Sequence, residues 1–118
     1  MAEMTIQQLM DRLPGAFIPQ NATGIDAVMY FDLSGDQGGQ WNVTIRDEKI
    51  QVERGEPLEQ PTLVLMADGQ DVLDIFSGKL EPMRAFMMGK LHVKGNYSLA
   101  MKLTNLFHLD DQLFSSMQ

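Results

Sequence analysis

Cysteine is absent from the 118 residues. Disulfides, thiolate nucleophiles and Cys-ligated metals are therefore excluded. Histidine is scarce: His92 and His108 are the two in the chain, too few for a multi-histidine metal site. Positive charge is in deficit, with nine Lys and Arg against sixteen Asp and Glu, a formal net charge of −7. Nucleic acid is held mainly by cations on phosphates, so no nucleic-acid partner is expected. The overall sign is also wrong for electrostatic docking on anionic lipid. No apolar run approaches the ~20 residues that span a bilayer, so no stable membrane insertion is expected. No stretch joins a basic start to an apolar segment, so no secretory leader is expected either.

What remains is ordinary globular composition, 44% hydrophobic and 21% charged. The length suits a single domain over residues 1–118. Ten methionines nearly match the nine aromatic residues. Methionine either fills irregular gaps in a core or lines a surface that must accept variable shapes, and composition leaves both open.

Hydrophobic periodicity divides the chain. Thr5 with Gln8 forms a capping-box pattern, and Ile6, Leu9, Met10 and Leu13 follow at helical spacing, with Pro14-Gly15 as the stop. Phe17 and Ile18 dock the turn that follows, and residues 19–23 read as loop. Ile25, Ala27, Met29, Phe31 and Leu33 face one way and Asp26, Val28, Tyr30 and Asp32 the other, as in a first strand. Trp41, Val43 and Ile45 make a second strand and Ile50 with Val52 a third, joined by a tight turn at Asp47-Glu48. Such short connections imply an antiparallel meander. Thr62–Ala67 is apolar on both faces, as a central or doubly covered strand would be. Asp68 then caps a helix bearing Val72, Leu73, Ile75 and Phe76, stopped by Gly78. Glu81-Pro82 opens a short helix that ends at Gly89. Leu91–Lys94 is a fifth strand, and Asn96 caps a last helix whose stripe is Leu99, Leu103, Leu106 and Phe107. This order predicts an α+β fold, a mostly antiparallel five-stranded sheet with helices packed on one face.

The short motifs Ala67-Asp68, Ser77-Gly78-Lys79-Leu80, Ala85-Phe86, Gly89-Lys90-Leu91, Lys94-Gly95-Asn96 and Leu99-Ala100-Met101-Lys102-Leu103 recur in this order. Together they make the chain resemble the type-2 sterol carrier protein family, whose element order fits residues 5–107. The resemblance implies a hydrophobic tunnel between sheet and helices and an apolar lipid partner: fatty acid, fatty acyl-CoA, sterol or phospholipid. It implies no enzymatic activity and no cofactor. It places Phe31, Trp41, Val43, Ile75, Leu80, Met83, Phe86, Met87, Met88, Leu103, Leu106 and Phe107 around the ligand. Met83 and Met87 share a helical face, in keeping with a deformable lining. Many family members carry a polar residue at the position of Met88, so a more apolar ligand is implied here.

Other candidates have ordinary structural roles. His92 alternates outward on its strand, and His108 follows the last helix, where a histidine favours the C-terminus. Neither is paired with a nucleophile. Of Asp68, Asp71 and Asp74, spaced by three, two sit in the first turn of a helix, where acids are favoured. Gly35, Gly38 and Gly39 lie between strands, so they build no phosphate cradle. Trp41 faces the core side, where it buries a large area. Leu109, Leu113, Phe114 and Met117 form an apolar stripe. The segment 108–118 is accordingly a lid over its own chain or a contact in a homodimer, so that monomer and homodimer are both open. Ser115-Ser116-Met117-Gln118 is not a peroxisomal address, and a cytoplasmic setting is expected. The alternative to a carrier is an interaction module, or an accessory domain of a lipid- or quinone-metabolising system, with its tunnel filled by its own side chains.

Overall fold

Thr5 begins the first helix as the pattern requires. Its hydroxyl accepts from the Gln8 N–H at 3.1 Å, and Gln8 Oε1 accepts from the Thr5 N–H at 2.9 Å, two orphan donors satisfied together. In the computed structural model, which describes residues 4–108, this helix (α1) runs Ile6–Ala16. It passes through Pro14 instead of stopping there. A proline in the last turn costs one backbone hydrogen bond and leaves two residues free to complete the turn. Residues 19–22 form a single 3-10 turn, Pro19–Ala22, where a loop was expected.

The five strands are β1 (Ala27–Ser34), β2 (Gly39–Arg46), β3 (Lys49–Arg54), β4 (Leu63–Asp68) and β5 (Leu91–Gly95). Their order across the sheet is β3-β2-β1-β4-β5. The meander β1-β2-β3 is antiparallel as expected. The one parallel pair is β1 with β4, in the register Phe31↔Leu65, and β4 with β5 is antiparallel again. Thus β4 is an inner strand, flanked by β1 and β5, with Val64 and Met66 of its second face half-buried.

One face carries Met29, Phe31, Trp41, Val43, Leu63, Leu65 and Leu91, all buried. The helices α2 (Gly69–Phe76), α3 (Pro82–Met87) and α4 (Tyr97–Met101) cover this face with α1. Their caps match the sequence: the Asp68 carboxylate accepts from the Gln70 N–H at 2.8 Å, and Asn96 Oδ1 from the Leu99 N–H at 3.0 Å. The last helix is shorter than its stripe suggests. It breaks after Met101 into a 3-10 turn, Leu103–Leu106, and Phe107 is extended. The break lets Phe107 pair with Phe17 in an antiparallel bridge. There Ile18 N–H donates to Leu106 O and His108 N–H to Ala16 O. Leu99, Leu103, Leu106 and Phe107 stay buried through the change of geometry.

The connection from β3 to β4 is tied to the opposite sheet face. Asn42 Nδ2 donates to Gly55 O, and Arg46 holds Asp26 and, in a two-pronged pair, Glu59. The hydrogen bond from Arg46 outweighs desolvation and sets the Glu59 carboxyl below its ordinary pKa. His92 is exposed on this face, as its alternation suggested.

The turn between β2 and β3 places Asp47 at φ 53° and Glu48 at φ 61°. Two left-handed residues match strand twist; Asp tolerates the conformation, as Asn and Gly do, but Glu resists it. Replacing Asp47-Glu48 with Asn-Gly is expected to stabilise the domain by about 1 kcal/mol, a rise in Tm of roughly 5 °C. Thermal unfolding followed by circular dichroism reads it directly.

Candidate functional site

The space between sheet and helices is the candidate site, because it is where the chain concentrates apolar surface. Phe31, Leu65 and Leu91 form its floor from β1, β4 and β5. Its roof is Val72, Ile75 and Phe76 of α2, Pro82 of α3, Ala100 of α4 and Leu103 beyond it. The cavity they enclose is about 10 Å³, near the size one water needs. The open tunnel that the resemblance implies is not present among the described residues. Phe31 and Phe76, both buried, occupy the space together with Leu103. Phe107 wedges against Phe76 edge-on, with ring centroids 5.9 Å apart, and against Phe17 at the same distance.

Of the residues expected at the ligand, Phe31, Ile75 and Leu103 border this cavity. Trp41 and Val43 are buried on the same sheet face, on β2, away from its lining. Trp41 lies under the Arg54 guanidinium, 5.2 Å from the ring centre, a cation–π contact, and its indole N–H has no partner among the described residues. Leu106 and Phe107 are buried, while Leu80 and Phe86 pack half-buried against the core.

Met83, Met87 and Met88 do not line the interior. They are 54, 77 and 57% exposed. The reason lies in helix geometry. Ala85 takes the buried position of α3, and at 100° per residue Met83 and Met87 both stand about 200° around the axis from it. Phe86 turns instead onto Tyr97, ring centroids 4.9 Å apart and nearly perpendicular. The spacing placed the two methionines on one face correctly, but that face is the outer one.

Leu65, Val72, Phe76, Pro82, Leu91 and Ala100 were absent from the expected lining. Val72 and Phe76 carry the signal of one helix turn beside Ile75. Leu65 and Leu91 carry the parity of their strands, which selects the core face once the pairing with β1 is known. The carboxylates at 68, 71 and 74 serve the helix: Asp68 caps it and Asp74 accepts from Gln70 Nε2 at 3.3 Å.

What the site can do follows from its walls. Among the described residues they are apolar and carry no charged side chain, and they are closed by short elements. Gly78 and Gly89 flank α3 at φ 85° and 78°, and Ala85 is its one fully buried residue. Short, shallowly anchored segments of this kind open at low cost.

A family model described as the SCP-2 sterol transfer family matches residues 6–108. Hydroxysteroid dehydrogenase-like protein 2 of Rattus norvegicus is 42% identical over 88 residues, 74% of this chain and 17% of that protein. The chain spans about a fifth of the length of the curated relatives it matches. The solution structure of palmitated SCP2L2 from Aedes aegypti is 25% identical, with a TM-score of 0.69 over 89% of this chain and 96% of that one. The sec-alkylsulfatase Pisa1 from Pseudomonas sp. shares the fold at a TM-score of 0.77 and 16% identity, over 88% of this chain and 16% of that one.

Proposed function

The chain belongs to the SCP-2 sterol transfer family, and from that premise we propose that it binds or transfers an apolar lipid without chemical change to it. The domain type supports lipid binding or transfer in general. The observation that carries the proposal is the match over residues 6–108, which includes every residue bordering the apolar space between sheet and helices. Ligand sites for small molecules occupy roughly 300–1,000 Å³, so a cavity of about 10 Å³ must expand to admit one. Expansion by outward movement of α3 and of the 3-10 turn at Leu103–Leu106 separates the roof from Phe31, Leu65 and Leu91. Burying an acyl chain there yields about 25 cal/mol per Å², against the ordering costs of binding. The lining is apolar throughout, so the space suits the hydrocarbon part of a lipid, with the polar group left at the mouth.

The same packing favours a second reading, an interaction or accessory domain whose interior is filled by its own side chains. Native mass spectrometry separates the two. A carrier purified and then incubated with palmitate, an acyl-CoA, cholesterol and a phospholipid shows a one-to-one lipid adduct that organic extraction releases intact. A bare chain under all four conditions overturns the proposal in favour of the second reading.

A further inference from the structure

Trp41 is the single tryptophan of the chain, and the fold buries it to 4% exposure. Its indole N–H is the one buried side-chain donor without a partner among the described residues. An unmet donor in an apolar interior costs free energy, so natural proteins rarely keep one without a use. Its surroundings show where an acceptor can approach. A Cβ built at Gly39 would lie 3.2 Å from Trp41 Nε1 and 4.0 Å from Cδ1, and apart from its chain neighbours nothing else among the described residues comes within 4 Å. The N–H is therefore aimed past Gly39, where no side chain obstructs it. Gly39 borders an open groove of about 370 Å³ at the end of the sheet, lined also by Asp32, Leu33, Gln40, Arg54 and Gly55.

Arg54 is the cation of this groove. It pairs with Trp41 across β2 and β3, its guanidinium carbon is 5.2 Å from the indole centre, and Nη1 donates to Gln7 Oε1 at 3.2 Å. It is exposed and makes no ion pair among the described residues. A guanidinium carries several N–H donors in a rigid fork, so Gln7 leaves most of them for a ligand. The first turn of α1, which holds Gln7, carries no acid, and the amino end of a helix favours negative charge beside it.

We propose that Trp41 Nε1 and Arg54 form a carboxylate site at the edge of the sheet, one oxygen accepting from the indole N–H and the other from the guanidinium. Two donors set side by side on a ladder pair suit a planar acceptor with two oxygens. Asp32 shares the groove and repels a dianion more than a monoanion, so a carboxylate fits better than a phosphate. Asp32 pairs with Gln40, the neighbour of Trp41, so its side chain leaves the sheet on the face opposite Arg54. Two sources offer a carboxylate. Arg54, Trp41, Phe31 and Leu65 stand in one row across β3, β2, β1 and β4, and the last two floor the apolar cavity. A fatty acid lying along the row would bring its head group to Arg54, whereas a small free acid would use the site alone. The first source rests on the lipid-binding reading above; the site itself does not.

Because the chain has a single indole, one proton–nitrogen NMR signal reports the site. It is followed in the full chain during titration with sodium acetate and with sodium octanoate, with ionic strength held constant by sodium chloride. A saturable downfield shift of the indole proton is expected. Saturation by octanoate at least about tenfold below acetate assigns the chain to the apolar row, since each buried methylene adds to affinity. Equal midpoints assign a free acid. Arg54→Gln is expected to raise the midpoint at least about tenfold, the loss of one charge-assisted hydrogen bond. Lys49→Gln, at the other end of β3, removes the same charge and is expected to change nothing. Trp41→Phe keeps a ring under Arg54 and deletes the N–H, and it is expected to lose most of the rise in Tm that octanoate gives wild type. No saturable shift with either acid overturns the proposal, as does a midpoint unchanged by Arg54→Gln or an equal shift with sodium chloride alone. A rise in Tm with octanoate while the indole signal stays unmoved would remove this site and leave the lipid-binding reading standing.

Discussion

Phe76→Ala is expected to lower stability by about 3–5 kcal/mol, the usual range for removing a buried aromatic ring, and Tm by more than about 10 °C. Phe76 is 1% exposed, borders the cavity between sheet and helices, and supports Phe107 edge-on. Its removal takes away the largest side chain of the roof and leaves an apolar hole, which stays dry and welcomes apolar guests. In a lipid carrier the hole is an entrance made in advance. Palmitate added to the variant is therefore expected to raise its Tm more than it raises that of wild type, since a ligand that binds the native state stabilises it by mass action. Thermal unfolding with and without palmitate measures both effects. Destabilisation with no rescue would show that the space is core alone.

The second large effect is expected at Gly69. This residue opens α2, and a Cβ there would collide with the carbonyl oxygen of Gln37. Backbone cannot yield as a flexible side chain can. Gln37 is itself fixed, because its Oε1 accepts from the Ile6 N–H at 3.0 Å. One residue, Gln37, thus joins the β1–β2 loop to the start of α1 and the start of α2. Gly69→Ala is expected to cost about 3 kcal/mol, the upper end for overpacking, with α1 and α2 loosened together. Gly24→Ala, where nothing lies within 4 Å of the added carbon, tests the left-handed backbone alone and is expected to cost only about 1–2 kcal/mol. Urea unfolding of the two variants gives the comparison.

The parts of this fold that were legible are those decided within a few residues. The capping box at Thr5 and Gln8, the turn at Asp47-Glu48, the caps Asp68 and Asn96, and the stops at Gly78 and Gly89 all depend on local backbone chemistry. Alternation gave the core faces of β1 and β2 for the same reason. What escaped depends on distant partners. The helix stripe through Phe107 breaks because Phe17 recruits that residue into a bridge, and no local signal announces it. The parallel pairing of β1 with β4 and the lining role of Leu65 and Leu91 need the strand order. Met83 and Met87 shared a face, yet which face met the core was settled by Ala85 and by the Phe86–Tyr97 contact. The segment 109–118, with its expected lid or dimer role, lies outside the described residues.

The bridge between Phe17 and Phe107 also bears on how the chain is made. Ala16 and Ile18 are bonded to His108 and Leu106, across nearly the whole described sequence. A ribosome releases the chain from its N-terminus at about 5–20 residues per second. The meander β1-β2-β3 can close as soon as Arg54 emerges, since its contacts are local. The Ala16 carbonyl and the Ile18 N–H, by contrast, must wait for the last turn before they find these partners. Until then the end of α1 lacks this tie, so a helix that precedes the strands of this domain is completed after them.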